Sequence, residues 1–497
     1  MVFNSFAFFV FFPVVTVLYF LLSHRRRWLL LLAASCAFYM FFIPKYILVL
    51  GFTIVVDYIA GLLIENAARR RRRLFLVCSI IANVGVLAFF KYFNFLNDNT
   101  AALARLIGWN YPVHSLSLIL PIGLSFHTFQ AMSYTIEVYR GRQRAERHFG
   151  IYALYVMFYP QLVAGPIERP QNLLPQFRDE HAFDYARITS GLKLMAWGLF
   201  KKAVVADRLA WVVNLVYGEP ARFSGPVLAV ATVFFAFQIY YDFSGYSDIA
   251  IGSARVMGFT LRQNFDSPYQ SQSTAEFWRR WHMSLSSWFR DYVFRPTRDA
   301  LARRDAGRRV MGSESGYAIY AVAVALTFLL SGLWHGANWT FVFWGALNGA
   351  YLILSGPTRP ARERFKALLG LDRHPAADRA LKIATTFALI TFAWIFFRAR
   401  TFHEAALICR GLTSGWRAVV TLAGFSAAFK GVGLSIAAAG VAGAIFVETV
   451  QVLQRRFDVP ALVNAQPWWA RWSLYYTAMA SLYFLYANEG QFIYFQF

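Results

Sequence analysis

The chain has 497 residues, of which 58% are hydrophobic, 18% aromatic and only 15% charged. It lacks the polar residues needed to cover a soluble body of that size, so it reads as a polytopic membrane protein. The formal net charge of +23 would suggest nucleic acid in a soluble chain, but here the basic residues fall in clusters that interrupt apolar runs. Such clusters mark loops held on the cytoplasmic side of a bilayer, and no nucleic-acid partner is expected.

Residues 3–23 are apolar, with no basic region before them and no small-residue cleavage pattern after them. They read as a retained first span with its N-terminus outside, not as a signal peptide. With Arg25 to Arg27 inside, 28–44 cross outward, 46–64 return, and Arg69 to Arg73 land inside. Residues 74–96 and 115–136 make the next pair of crossings, and the basic cluster from Arg140 to Arg147 is inside again. Further apolar segments at 149–165, 190–213, 225–258, 318–334, 338–354, 381–397, 431–452 and 469–487 bring the expected total to roughly ten to thirteen embedded helices, some short or re-entrant. No internal repeat is visible. The expected fold is all-α, one membrane domain over 1–497, with a long polar insertion at 259–316. Cys36, Cys78 and Cys409 are scattered without metal-ligand or disulfide spacing, and no metal is expected.

The stretch Gln238 to Gly252 places Asp242 and Asp248 in apolar surroundings. Six residues apart, they are ~240° apart around a continuous helix, so they do not form a dyad on one face. They are expected to pair separately with arginines, or to cap helix ends broken at Gly245, and with Ser244 and Tyr246 to support a site. Within the insertion, Ser273 or Thr274 caps a helix opened by Glu276. Along that helix Trp278, Trp281 and Trp288 alternate with Arg279, Arg280 and Arg290, a mixture suited to lipid headgroups, so the helix is expected at the interface or dipping into a cavity. His282 stands in the middle of it.

His335 lies in Ser331-Gly-Leu-Trp-His-Gly-Ala-Asn338, with apolar sequence on both sides. Each flank is somewhat short for a span, and together they are too long for one, so a helix broken around Gly332, Gly336 and Asn338 is expected. A titratable imidazole at membrane depth faces protein or a wet cavity and is a functional candidate by default. Of the other histidines, His24, His148, His181 and His374 lie in polar or basic loops, His114 in an outer loop, and His127 and His403 read as packed residues. His282 is therefore the expected partner of His335.

These segments resemble the membrane-bound O-acyltransferase family, in the branch of the bacterial alginate O-acetyltransferase membrane subunit. The resemblance rests on Leu120-Pro-Ile-Gly-Leu-Ser-Phe-His127 onward to Gly141, Tyr159-Pro-Gln-Leu-Val-Ala-Gly-Pro-Ile-Glu-Arg169 and Gly198-Leu-Phe-Lys-Lys202 through Asp207. It continues with Asp242 to Asp248, Phe277-Trp-Arg-Arg-Trp-His282, Leu333 to Asn338, Trp394 to Ala399 and the terminal Phe492 to Phe497. It implies acyl transfer by His335 and a partner His282, in a helical fold around a tunnel or funnel joining the membrane faces. It further implies cytoplasmic acetyl-coenzyme A as donor with no permanently bound cofactor, and hydroxyls of an exported polysaccharide as destination. A periplasmic acetyl-carrying protein is the implied partner, and the bacterial inner membrane the implied location. Two departures stand out. Asn348 replaces a histidine common in relatives and is given no acid–base role, and Arg295 to Arg304 replace a glycine-containing turn.

Acyl transfer from a thioester to an alcohol needs a base, oxyanion donors and a proton for the leaving thiol. His335 is the expected base, and His282, with Asn338 or an indole such as that of Trp334, is expected to orient the thioester and stabilise the oxyanion. A transient acyl-imidazole is the less favoured route. Lys201 and Lys202, or Arg279 and Arg280, are candidates for meeting the phosphates of coenzyme A. D-alanyl or peptidoglycan acyl transfer, or transport without chemistry, are the alternatives.

Overall fold

The computed structural model describes residues 1–117, 119–304, 315–484 and 492. Helix is the regular secondary structure throughout the described residues, with no strand among them. Six described helices are long and apolar enough to cross a bilayer: Pro44–Asn66, Arg69–Leu106, Gly225–Met257, Gly316–His335, Pro375–Arg398 and Leu434–Gln454. Phe6–Leu21 and Trp339–Leu354 are shorter apolar helices. The protein is an all-α polytopic membrane protein, as its composition requires.

Two boundaries differ from expectation. The polar stretch after residue 96 stays helical to Leu106, because its polar side chains have partners: buried Asn97 accepts a 2.9 Å bond from the Tyr111 hydroxyl. The segment expected to cross from 115 instead becomes helical only at Leu124, after Pro121 and a left-handed Gly123 with φ of 76°. Proline and a left-handed residue together hold the preceding chain out of the helical region.

Contacts divide the chain into two units, Met1–Gly198 with Tyr246–Gln263, and Leu199–Gly245 with Asn264–Phe497. In the first unit three helices, Ile47–Asn66, Arg69–Leu87 and Leu124–Tyr139, are joined by a polar clasp. The Asp57 carboxylate accepts from Ser79 Oγ at 2.6 Å and from Asn83 Nδ2 at 2.8 and 2.9 Å, and Ser79 Oγ also lies 3.1 Å from Thr135 Oγ1. All four residues are fully buried, and in hydrocarbon such groups are tolerable only when bonded to one another. At one end of this unit Arg72 donates to the Tyr139 carbonyl at 2.9 Å and Arg147 pairs with Glu65, so the second and third basic clusters share one face.

In the second unit the helices Ser315–His335 and Trp339–Leu354 fold back on each other as a hairpin. Two glycines bring them into backbone contact. A Cβ at Gly332 would fall 2.3 Å from the Phe341 carbonyl oxygen, and one at Gly345 2.2 Å from that of Phe328. Small residues at a helix crossing allow backbone contact that any side chain would forbid. The break expected around Gly332, Gly336 and Asn338 is thus a reversal of direction, not an interruption of one helix. Residues 305–314 of the polar insertion, and the terminal motif other than Phe492, lie outside the described residues.

Candidate active site

His335 is the last residue of its helix and is 6% exposed. Its ring meets the edges and faces of Trp334 at 4.8 Å, Trp344 at 5.0 Å and Phe397 at 5.3 Å between centroids, all close to perpendicular. This is the favoured geometry for aromatic contact, and it replaces solvent around the imidazole with indole and phenyl surface. Phe397 and Trp394 come from the Pro375–Arg398 helix, and Trp394 stacks on Trp344 at 5.6 Å. The hairpin bend is finished by Asn338, whose Oδ1 accepts from Thr340 N at 3.0 Å and whose Nδ2 donates to the Arg400 carbonyl at 2.8 Å. Asn338, expected as an oxyanion donor, is seen here as the cap that opens the next helix.

His282 sits differently. The helix opened by Glu276 is capped as expected, Ser273 Oγ accepting from Glu276 N at 3.1 Å and Glu276 accepting from Gln272 N at 2.8 Å. It ends at Arg280, a second short helix runs from Met283 to Phe289, and His282 is the left-handed residue between them, with φ of 43° and ψ of 55°. So His282 is not mid-helix. Among the described residues only Ser267 shares this backbone region without being glycine, and a non-glycine residue held there costs about 1–3 kcal/mol, a cost found mainly at functional sites. The ring is 1% exposed. It packs perpendicular to Phe243 at 4.6 Å and reaches Trp334 at 6.3 Å, so one indole touches both imidazoles. Burial lowers the pKa of His282 to about 3, leaving it neutral at physiological pH.

The tryptophans expected at lipid headgroups are packed inside the unit. Trp281 is 1% exposed and lies among Phe265, Phe277 and Trp394 at 5.1 to 5.4 Å. Trp278 is half-buried against Phe328 and Trp344, and Trp288 is buried against Phe289 and Tyr292. The indoles turn toward the aromatic interior, where ring-on-ring contact replaces lipid headgroups. Arg279 is exposed, whereas Arg280 pairs with Glu276 at 2.6 Å.

Among the described residues Asp242 pairs with a lysine and not with an arginine. Lys202 Nζ lies 2.6 Å from Asp242 and 2.7 Å from Asp207, all three nearly fully buried. The Gly225–Met257 helix runs unbroken through Gly245. Lys202 and Asp207 reach each other because Phe200–Ala206 is a π-helix, whose i to i+5 spacing brings them to one side. Lys201 donates to Ser244 Oγ at 3.1 Å. Both lysines are buried, and two adjacent lysines inside the apolar run 190–213 were the available signal of such burial. Tyr246 and Asp248 fall in the first unit, where Tyr246 stacks on Phe3 at 4.5 Å and Asp248 is half-buried. Asn348 is buried and donates to the Trp344 carbonyl at 2.9 Å.

Residues 16–377, which include both histidines, match the model of the membrane-bound O-acyltransferase family. The chain belongs to that family. It is 37% identical over 410 residues, 82% of this chain and 79% of the relative, to a protein of Pseudomonas putida named probable alginate O-acetylase. To a peptidoglycan O-acetyltransferase of Helicobacter pylori it is 34% identical over 402 residues, 76% of this chain and 71% of that one. A teichoic acid D-alanyltransferase of Bacillus subtilis is 27% identical over 305 residues, 59% of this chain and 72% of its own. This member of the membrane-bound O-acyltransferase family is an acyltransferase, and the transport-only alternative is set aside.

Proposed function

We propose that this acyltransferase takes an acetyl group from cytoplasmic acetyl-coenzyme A and delivers it to hydroxyls of an exported, alginate-like polysaccharide through a periplasmic acetyl-carrying protein, with His335 as general base. In this reading the chain lies in the bacterial inner membrane with its N-terminus outside. The observation that carries the chemistry is the burial of His335 in an aromatic cage at a hairpin bend, sharing Trp334 with His282.

An imidazole, with an ordinary pKa near 6.5, can take the proton of an alcohol at neutral pH. The alkoxide oxygen then attacks the thioester carbonyl, and the collapsing intermediate expels the thiolate. The imidazolium returns the proton to sulfur, so no net proton is released. Neutral His282 and the Trp334 indole would orient the thioester and stabilise the oxyanion in surroundings that exclude water.

A second reading keeps the chemistry and changes the cargo, to peptidoglycan acetylation or D-alanyl transfer, and is favoured by the similarity to the Helicobacter pylori and Bacillus subtilis relatives. Purified protein in proteoliposomes with labelled acetyl-coenzyme A tests both. His335-dependent release of free coenzyme A, with label moving to an added polysaccharide or its carrier, supports the first. A chain that leaves acetyl-coenzyme A intact but consumes a D-alanyl thioester replaces it with the second.

A further inference from the structure

The left-handed conformation of His282 needs a restraint, because the residues around it, Phe277-Trp-Arg-Arg-Trp-His-Met-Ser-Leu-Ser286, contain nothing that would stop an ordinary helix. The restraint comes from the segment around Asn264. The Asn264 carbonyl accepts from Met283 N at 2.8 Å, and its side-chain Oδ1 accepts from Ser284 Oγ at 2.6 Å and from Ser284 N at 3.3 Å. On the other side of the histidine, Asp266 N donates to the Arg280 carbonyl at 3.0 Å. The backbone is therefore tied on both flanks of His282 to one short stretch of chain, and Asn264 and Ser284 are 1% and 2% exposed. Between those ties Phe265 packs at 5.1 Å on both Phe243 and Trp281, and Phe243 is the ring that faces the imidazole.

We propose that Asn264 and Ser284 are positioning residues of the acyl-transfer site, acting through His282. Their bonds hold the backbone reversal that aims the imidazole toward Trp334, and without them the segment relaxes toward a continuous helix and carries the ring away. The inference rests on the acyl-transfer role given to His282 above. Asn264 touches no reacting atom in this scheme.

The test is acyl transfer from labelled acetyl-coenzyme A in proteoliposomes, with Asn264→Ala, Ser284→Ala, Ser284→Thr and His282→Gln. Displacing a catalytic group by about 1 Å costs up to about 100-fold. Ser284→Ala and Asn264→Ala are therefore expected to lower kcat by about 10-fold to 100-fold while leaving the donor KM unchanged. Ser284→Thr, which keeps the hydroxyl, retains the wild-type rate. In the His282→Gln background Ser284→Ala costs nothing more, since the group it positions is gone. His282→Gln at full rate would overturn the role of His282 itself, and the positioning role with it. A slow His282→Gln alongside fully active Asn264→Ala and Ser284→Ala overturns the positioning role alone, as does a Ser284→Ala defect that persists undiminished in the His282→Gln background. Should Asn264→Ala not accumulate in the membrane, the Ser284 cycle decides.

Discussion

The two histidines occupy seats built in opposite ways. His335 ends a long apolar helix in ordinary helical geometry, and its position is set by packing between helices: the glycine crossing beneath it and the Trp344 and Phe397 rings around it. His282 is set by hydrogen bonds to its own backbone neighbours, in a conformation that its sequence does not favour. In the proposed mechanism, a base that moves a proton gains from a rigid helix end, and a group that aims at a carbonyl gains from a backbone pinned at an unusual angle. The shared Trp334 contact is where the two constructions meet.

The largest effect is expected from His335→Ala, which should lower acyl transfer by about 100-fold to 10,000-fold, the usual contribution of a general base. The thermal midpoint in detergent should stay close to wild type, and full activity would remove the base assignment. Next in size is Lys202→Met, which leaves Asp207 and Asp242 buried without their shared cation beside the Phe243 wall of His282. Unpairing a buried ion pair costs about 3–5 kcal/mol, read as a large fall in thermal midpoint, and adding Asp242→Asn should recover part of it. Gly345→Val wedges the hairpin apart and should cost about 1–3 kcal/mol through overpacking, with acyl transfer falling as His335 shifts. Wild-type activity in that variant would show that the crossing does not set the histidine.

The smallest expected effect concerns pH. Burial holds His282 at a pKa of about 3, while in the unfolded chain an imidazole protonates near 6.5. The unfolded state therefore takes up the extra proton as pH falls below about 6.5, and stability is lost on acidification. Between pH 7 and pH 5 the thermal midpoint of wild type should fall more than that of His282→Gln, by the equivalent of about 1–2 kcal/mol. Equal slopes would show that the buried imidazole is not the source.

What the sequence made legible follows from the bilayer. Its thickness dictates apolar runs of a given length, so the spans at 46–64, 225–258, 381–397 and 431–452 were readable within a few residues of the helices found. The location of the break at His335 was readable for the same reason. Its geometry was not, because apolar length cannot distinguish an interrupted helix from a hairpin, although Gly332 and Gly345 held the information. The left-handed turn at His282 left no trace in the residues beside it, since the bonds that flank it come from Asn264 and Asp266, earlier in the same insertion, and the indoles beside it resemble a headgroup belt in composition alone. The lysine partner of Asp242 lies on another helix, a pairing that no spacing rule within one helix reveals, whereas the approach of Lys202 to Asp207 depends on a π register that rules for ordinary helices do not cover.

That register has a consequence of its own. A π-turn is an α-helix with one residue too many, and Phe200–Ala206 retains it between an α-helix on either side, with Lys201 to Ala206 all turned inward. Were these same residues to wind at the commoner pitch with none removed, everything after them would swing by about 100°. Asp207 would then point away from Lys202, and a buried ion pair would be broken with no residue of the proposed acyl-transfer site having been touched.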